Sequence, residues 1–430
     1  MTSLSQTVKL NHLHNLLLEF APREQIKPGL ERVQALCGVL NNPEKKFSAI
    51  HIAGTNGKGS TTTLIAHGLQ AAGMKVGVYT SPHLYRWSER ILVNQQEIEL
   101  DEFIQTIEHL YETAKQVDAT VFELVTAVAF QHFVRQDVDL AIIETGLGGR
   151  FDATNIVDSI LTVITDISMD HANYLGNELS GIAWEKAGII KQNIPVVTAH
   201  LNDISQQQIN EECQLKAAPQ QIANALEPIK FNWHEQVLDS ENWGHIKLKM
   251  LGQWQAKNLA LVLGVFDQLQ KNYSLDKAKI IQGLESATWP GRFEPIQNSP
   301  RIVLDGAHNK QGAESLIETL NLYNQHFPIT GKKWLLFGLR ADKDHQSIIE
   351  GLFPWFDCIL LTDIGGKFGL DPEVLVAYAQ QTDLGTEVFE GATSALQYFK
   401  KHAKSNDLLC VSGSLYLVGE VRWQLLKDNR

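Results

Sequence analysis

Residues 47–60 read FSAIHIAGTNGKGS, and this stretch decides the fold class. FSAIHIAG is an apolar run of strand length, and across 58–73 apolar residues recur at helical spacing before a closing glycine. A buried strand therefore passes into a helix through a glycine-rich turn. Gly54, Gly57 and Gly59 let backbone N–H groups approach oxygens, and the helix N-terminus carries partial positive charge. Lys58 adds a full charge, Thr55 and Asn56 complete the turn, and Ser60 supplies a hydroxyl able to ligate magnesium. The spacing departs from G-x-x-x-x-G-K-[ST], because Ile52 stands where the first glycine belongs and Gly59 intervenes before Ser60. An ordinary glycine-rich turn is the plain alternative. Strand, glycines, lysine and hydroxyl together favour a phosphate cradle, which by itself does not separate kinase, GTPase, motor and ligase.

Outward from this turn, KVGVYTSP predicts a second strand, ERILVNQQEI a hairpin, 100–115 and 121–136 helices, and VDLAIIE another strand. Strands at 160–165 and 195–199 around a helix at 181–187 continue the alternation of a mostly parallel sheet. Helices at 253–270 and 275–286 lead into TWPGR, where Pro290 and Gly291 punctuate the chain. Alternation restarts with RIVLDGA, KKWLLFG, DCILLTD and LLCVSGS, each followed by helix. The reading is α/β throughout: a P-loop domain over 1–295 and a second, smaller α/β domain over 296–430.

Composition narrows the class. A chain of 430 residues with 44% hydrophobic content buries a large core and fits two domains. A net charge of -12 argues against sequence-independent nucleic-acid binding, which needs a basic face. Cys37, Cys213, Cys358 and Cys410 are scattered with no C-x-x-C pair, so no disulfide framework or zinc site is indicated. The opening MTSLSQTVKLNHLHNLLLEF lacks a basic start and an unbroken apolar core, and no stretch reaches the ~18 to 20 apolar residues of a membrane span. A cytoplasmic protein without membrane or nucleic-acid partners is expected.

LAII delivers Glu144 at a strand's carboxyl end, before the turn TGLGGRFDATN, where α/β sheets present catalytic groups. A carboxylate there can hold Mg²⁺ or cap a helix. MDHANYLG places Asp170 and His171 after ILTVITDI, again at a strand's end, where a histidine is either structural or a ligand. GTNGKGS, TSPHLYRWSERI, ETGLGGRFDATN, DHANYLG, EKAGIIK, TWPGRFE, LDGAHN and SGSLYLVGEVR follow one another along one chain. Together they resemble the folylpolyglutamate synthase and dihydrofolate synthase family, relatives of the Mur ligases, over most of the chain.

The resemblance implies ATP and two Mg²⁺ ions. Ser60 and Glu144 would hold one ion, and Ser81, Glu144 and His171 the other. It implies that Lys58 binds phosphate, Asn258 contacts adenine, Arg292 meets the phosphates and Asp305 the ribose, so that both domains contact ATP. His308, Ser412 and Ser414 would stand near incoming L-glutamate. Phe122 and Asp152 would face the pterin, although an aromatic in an apolar helix is also ordinary core. Lys186 of WEKAGIIK would be carbamylated beside the second ion, unless it is an exposed helix lysine paired with an acid. Family members often carry Pro-Arg where this chain has GGKFGLDP, and Lys367 cannot copy a forked arginine contact.

The implied activity joins L-glutamate to dihydropteroate and to reduced folates through an acyl phosphate, in a monomer. Polyglutamylation alone, a Mur-type ligase of a UDP-linked peptide, and a non-catalytic nucleotide-binding module remain as alternatives.

Overall fold

Five consecutive buried residues, Ala49–Ala53, form β1 inside an eight-stranded sheet. The structure, a computed structural model, describes residues 5–20, 28–170, 176, 178–224, 226–365, 369–379 and 384–428. Its first compact unit comprises Met1–Ala225 and Lys257–Leu284, and its second Leu226–Ala256 and Glu285–Arg430.

In the first unit, β2 is Val76–Tyr79, β3 Ile91–Val93, β4 Gln96–Glu97, β5 Leu140–Glu144, β6 Ser159–Ile164, β7 Val196–Ala199 and β8 Gln220–Ala223. The order is β4-β3-β2-β5-β1-β6-β7-β8, with β3 and β4 antiparallel at one edge and the remaining pairs parallel. Parallel strands need crossovers that cover both faces, which is why β1 and β5 are buried along their whole length. The chain leaves β1 toward β2 on one side, while β6 pairs with β1 on the other. That reversal opens a crevice at the carboxyl ends of β1, β5 and β6.

The crossover helix Val121–Arg135 is started by a reciprocal cap, in which Thr120 accepts from the Glu123 N–H and Glu123 accepts from the Thr120 N–H. Arg32 Nε donates to Glu123 Oε1 at 2.8 Å, so a buried ion pair joins this helix to Glu31–Val39. Helix Lys58–Ala71 meets helix Lys277–Ser286 so closely that a Cβ on Gly283 would overlap the His67 carbonyl.

The second unit holds a three-stranded antiparallel sheet of β9 (Pro228–Phe231), β10 (Gln236–Ser240) and β11 (Gly244–Leu248). Its larger sheet is built from β12 (Glu294–Asn298), β13 (Arg301–Leu304), β14 (Lys333–Phe337), β15 (Cys358–Thr362), β16 (Gly385–Phe389) and β17 (Leu408–Ser412). The order is β12-β13-β17-β14-β15-β16, parallel except for the edge strand β12.

The sequence reading places a boundary at 295/296, whereas the second unit starts its main run at Glu285 and also takes in Leu226–Ala256. The physical reason is aromatic packing: Phe231 and Trp233, at the end of β9, lie against Tyr323 of helix Lys310–His326. Among the described residues no helix is long and apolar enough to cross a membrane.

Candidate functional site

The turn after β1 is shaped by the exit of β6. Gly54 has φ +157°, and a Cβ on it would overlap the Thr165 hydroxyl. Thr165 donates its N–H to Ala53 O at 2.9 Å and its hydroxyl to Asn56 O at 2.7 Å. The Thr55 N–H donates to Asp166 O at 2.6 Å, and the Thr55 hydroxyl both donates to Ser168 O and accepts the Ser168 N–H at 3.1 Å. Gly57, at φ +86°, opens helix Lys58–Ala71, and a Cβ there would stand 2.5 Å from Asn258 Oδ1. The loop is therefore pinned from two sides, with the positive end of a helix dipole directed at it. Gly59 lies in the helix's first turn, and Ser60 is buried there.

Two lysines converge on one carbonyl. Lys58 Nζ donates to Gly54 O and Thr55 O, each at 3.1 Å, and stands 3.9 Å from Glu144 Oε1. Lys186, buried on helix Leu179–Ala187, donates to Gly54 O at 2.8 Å. Burial, then the like charge of Lys58, bring its pKa down to about 7 against the opposing pull of Asp170, Asp166 and Asp152. Lys186 is thus not the exposed helix lysine of the simpler alternative.

Glu144, the buried last residue of β5, accepts the Ser81 N–H at 3.3 Å. Ser60, Ser81 and Glu144 offer hard oxygen donors of the kind Mg²⁺ takes alongside substrate phosphates. Among the described residues no group of three or more His, Cys, Asp or Glu could hold a metal, so phosphate oxygens would have to complete such a shell. His171 and Lys367 lie outside the described residues.

Asp152 is committed to its own turn. Its oxygens accept the Leu147 N–H at 2.8 Å, the Thr154 N–H at 3.0 Å and the Thr154 hydroxyl at 2.5 Å, and Thr154 in turn meets His51 Nε2 at 2.8 Å. Burial pushes the Asp152 carboxyl up in spite of these bonds. The half-buried ring of Phe122 covers Gly146, where a Cβ would overlap it, and lies 5.9 Å from the Tyr79 ring.

In the second unit the predicted residues gather at the ends of β13 and β17. Asp305 accepts the Phe293 N–H and the Ala307 N–H, each at 2.8 Å, and burial raises its pKa against the pull of Arg292. Arg292 donates to Gly306 O at 3.3 Å, and the His308 Nδ1–H donates to the same carbonyl at 2.7 Å. The buried Ser412 hydroxyl reaches Ala307 O at 3.4 Å, and the Ser414 hydroxyl accepts the Tyr416 N–H at 3.2 Å. Phe293 keeps φ +40°, a conformation costing about 1–3 kcal/mol that persists only where the surroundings over-determine it.

Sequence reasoning missed Thr165 and Ser168. The available signal was the one used for Asp170, a polar residue just past the carboxyl end of a strand. It also passed over Glu294 and Arg422, whose pairing is invisible without the fold.

The Mur ligase middle domain matches residues 52–266, and the Mur ligase glutamate ligase domain matches 291–415. A phosphate loop on a parallel sheet, followed by a glutamate ligase domain, defines a ligase of the Mur type. The chain is 36% identical over 422 residues to a Bacillus subtilis dihydrofolate synthase/folylpolyglutamate synthase, covering 93% of this chain and 95% of that one. The chain belongs to the dihydrofolate synthase/folylpolyglutamate synthase family. Among solved structures it is similar to a Mycobacterium tuberculosis folylpolyglutamate synthase complexed with ADP and AMPPCP, with TM-score 0.87, 28% identity and 97% and 98% of the two chains covered. It is also similar to an E. coli FolC in complex with DHPP and ADP, with TM-score 0.85, 29% identity and 99% and 98% covered.

Replacing Gly54 by Ala forces a Cβ into the space of the Thr165 hydroxyl, so ADP affinity by calorimetry should fall at least about tenfold. Unchanged affinity would contradict the reading of this turn as a phosphate cradle.

Proposed function

We propose that this chain ligates L-glutamate to dihydropteroate and to glutamylated reduced folates at the expense of ATP. The observation that carries the reading is the convergence of Lys58, Lys186 and the Glu144–Ser81 contact on the Gly54–Gly57 turn. Family membership over nearly the whole chain supports it.

In the reaction a substrate carboxylate oxygen attacks the γ-phosphorus of ATP, ADP departs, and an acyl phosphate forms. The amine of glutamate then attacks the acyl carbon, inorganic phosphate leaves, and a proton is released. Catalysis of this kind rests on positioning and on neutralising phosphoryl charge. Lys58 and the backbone N–H groups at the start of helix Lys58–Ala71 bind phosphate oxygens, the Thr55 N–H being held by Asp166 O, and Arg292 is read as a phosphate-contacting guanidinium. Asn258 and Asp305 take the adenosine end; Asp305 acts partly through the backbone it holds. Ser60, Ser81, Glu144 and His171 would hold magnesium, which would supply charge neutralisation at the phosphates. Phe122 and the turn organised by Asp152 face the pterin, and His308, Ser412 and Ser414 receive glutamate. The His308 Nδ1–H bond to Gly306 O fixes the neutral ring's lone pair at Nε2.

Lys186 is read as a carbamate. An amine brought near pKa 7 has a neutral fraction at cellular pH, which adds CO₂ with loss of a proton and returns a negative oxygen donor. A Lys186→Ala protein should lose about 100-fold in kcat and regain part of it with acetate. Near-normal turnover of the Ala variant would refute the carbamate.

The function itself is tested by ADP release across carboxylates. Dihydropteroate, ATP, Mg²⁺ and glutamate together should give dihydrofolate and ADP, with no sustained ADP release when any one is omitted. Extension of tetrahydrofolate without any reaction of dihydropteroate would restrict the enzyme to polyglutamylation, and inertness toward both would overturn the proposal.

A further inference from the structure

TWPGRFE and SGSLYLVGEVR stand far apart in the chain, and the structure joins them through one side-chain contact. The turn that presents Arg292 is irregular on both flanks, with φ +73° at Gly291 and +40° at Phe293. Each flanking N–H is bonded to a carboxylate. The Phe293 N–H donates to Asp305 at 2.8 Å, and the Gly291 N–H donates to Glu294 Oε2 at 2.8 Å. The Gly306 N–H also donates to Gly291 O at 2.8 Å, and the buried Phe293 ring lies 5.3 Å from that of Tyr323. Glu294 is itself fixed from outside the turn. Arg422, on the last helix Leu415–Asp428, shares its Nε–H between both Glu294 oxygens at 3.0 Å.

We propose that Glu294 and Arg422 are a positioning pair for Arg292, an inference that rests on reading Arg292 as a phosphate-contacting residue. A partly exposed ion pair adds little to fold stability, so its value to the fold alone is small. Its geometry instead restrains one backbone N–H beside a glycine, the residue whose backbone is freest to depart from the required conformation. Loss of the Glu294 carboxylate releases Gly291, and the guanidinium of the next residue is then spread over several directions. Small misplacements of a charge-stabilising group cost rate steeply. Neither Glu294 nor Arg422 needs to touch nucleotide for this to hold.

The test is a double-mutant cycle on the full chain, read as kcat/KM for ATP with thermal unfolding as the folding control. Glu294→Gln and, independently, Arg422→Gln should each lower kcat/KM for ATP about tenfold, with Arg422→Lys recovering part of the loss. In an Arg292→Ala background, Glu294→Gln should change kcat/KM for ATP less than about twofold, because the residue it positions is gone. An equal loss in both backgrounds would show a general structural role and overturn the inference. So would an active Arg292-dependent enzyme indifferent to Glu294→Gln and Arg422→Gln. If Arg292→Ala itself leaves ATP kinetics unchanged, the reading of Arg292 fails and the inference with it, which separates the two failures.

Discussion

Thr165 places its hydroxyl on the Asn56 carbonyl and its N–H on Ala53, and between them only a glycine fits at position 54. The Thr55–Ser168 exchange continues this pairing along the loop. With the Thr55 N–H already spent on Asp166 O, a loop that leads phosphate toward the N–H groups of the following helix cannot also use those for its own folding. Its carbonyls and one threonine therefore have to be secured by a neighbouring segment, and β6 supplies that segment. The carboxyl ends of β1 and β5 then bring the Gly54–Gly57 turn and Glu144 to the same crevice, because strands β5 and β6 flank β1.

Electrostatics explain why this crevice is poised for chemistry more than built for stability. Lys58 and Glu144 at 3.9 Å attract by about 4 kcal/mol at an effective dielectric near 20, while desolvation costs several kcal/mol for each ion taken out of water. Desolvation of the two outweighs the attraction, so the pair adds no net stability. A second lysine on the same carbonyl, this one buried, then adds repulsion, and the fold tolerates it by lowering the Lys186 pKa. Asp152 and Asp305 show the complementary use of a carboxylate: Asp152 is buried and Asp305 half-buried, each has its pKa raised by loss of solvent, and each spends its oxygens on backbone N–H groups. Such groups shape the turns that carry Gly146 and Arg292 more than they face solvent.

The parallel α/β pattern and the glycine-rich turn were legible because both are local: β1 is a short, mostly apolar run, and the Gly54–Ser60 turn is spelled by contiguous residues. The position of Glu144 at the carboxyl end of β5 was legible from the apolar run before it. The sheet of β9 to β11 was not, since its strands are short and partly polar, and they are fixed by Gln236 donating to Met250 O and Gly252 O and by Phe231 and Trp233 on Tyr323. Helix Asp203–Leu215 was missed because DISQQQINEECQL carries few apolar residues, and its start is set by Asn202 accepting the Ser205 N–H. Phe122 was left between core and pterin site; its ring packs on the core and covers Gly146. Thr165, Glu294 and Arg422 act on partners distant in sequence, which no local pattern announces.

The central claim is that a carboxylate oxygen of the folate precursor attacks the γ-phosphorus of ATP, giving an acyl phosphate that the amine of glutamate then opens. Dihydropteroate labelled with ¹⁸O in its carboxylate tests this directly, because an acyl phosphate hands one of those oxygens to phosphate when the amide forms. Mass analysis after turnover with ATP and glutamate should find one ¹⁸O in each inorganic phosphate released. Unlabelled phosphate, with both ¹⁸O atoms unaccounted for in it while dihydrofolate is made, would contradict the account.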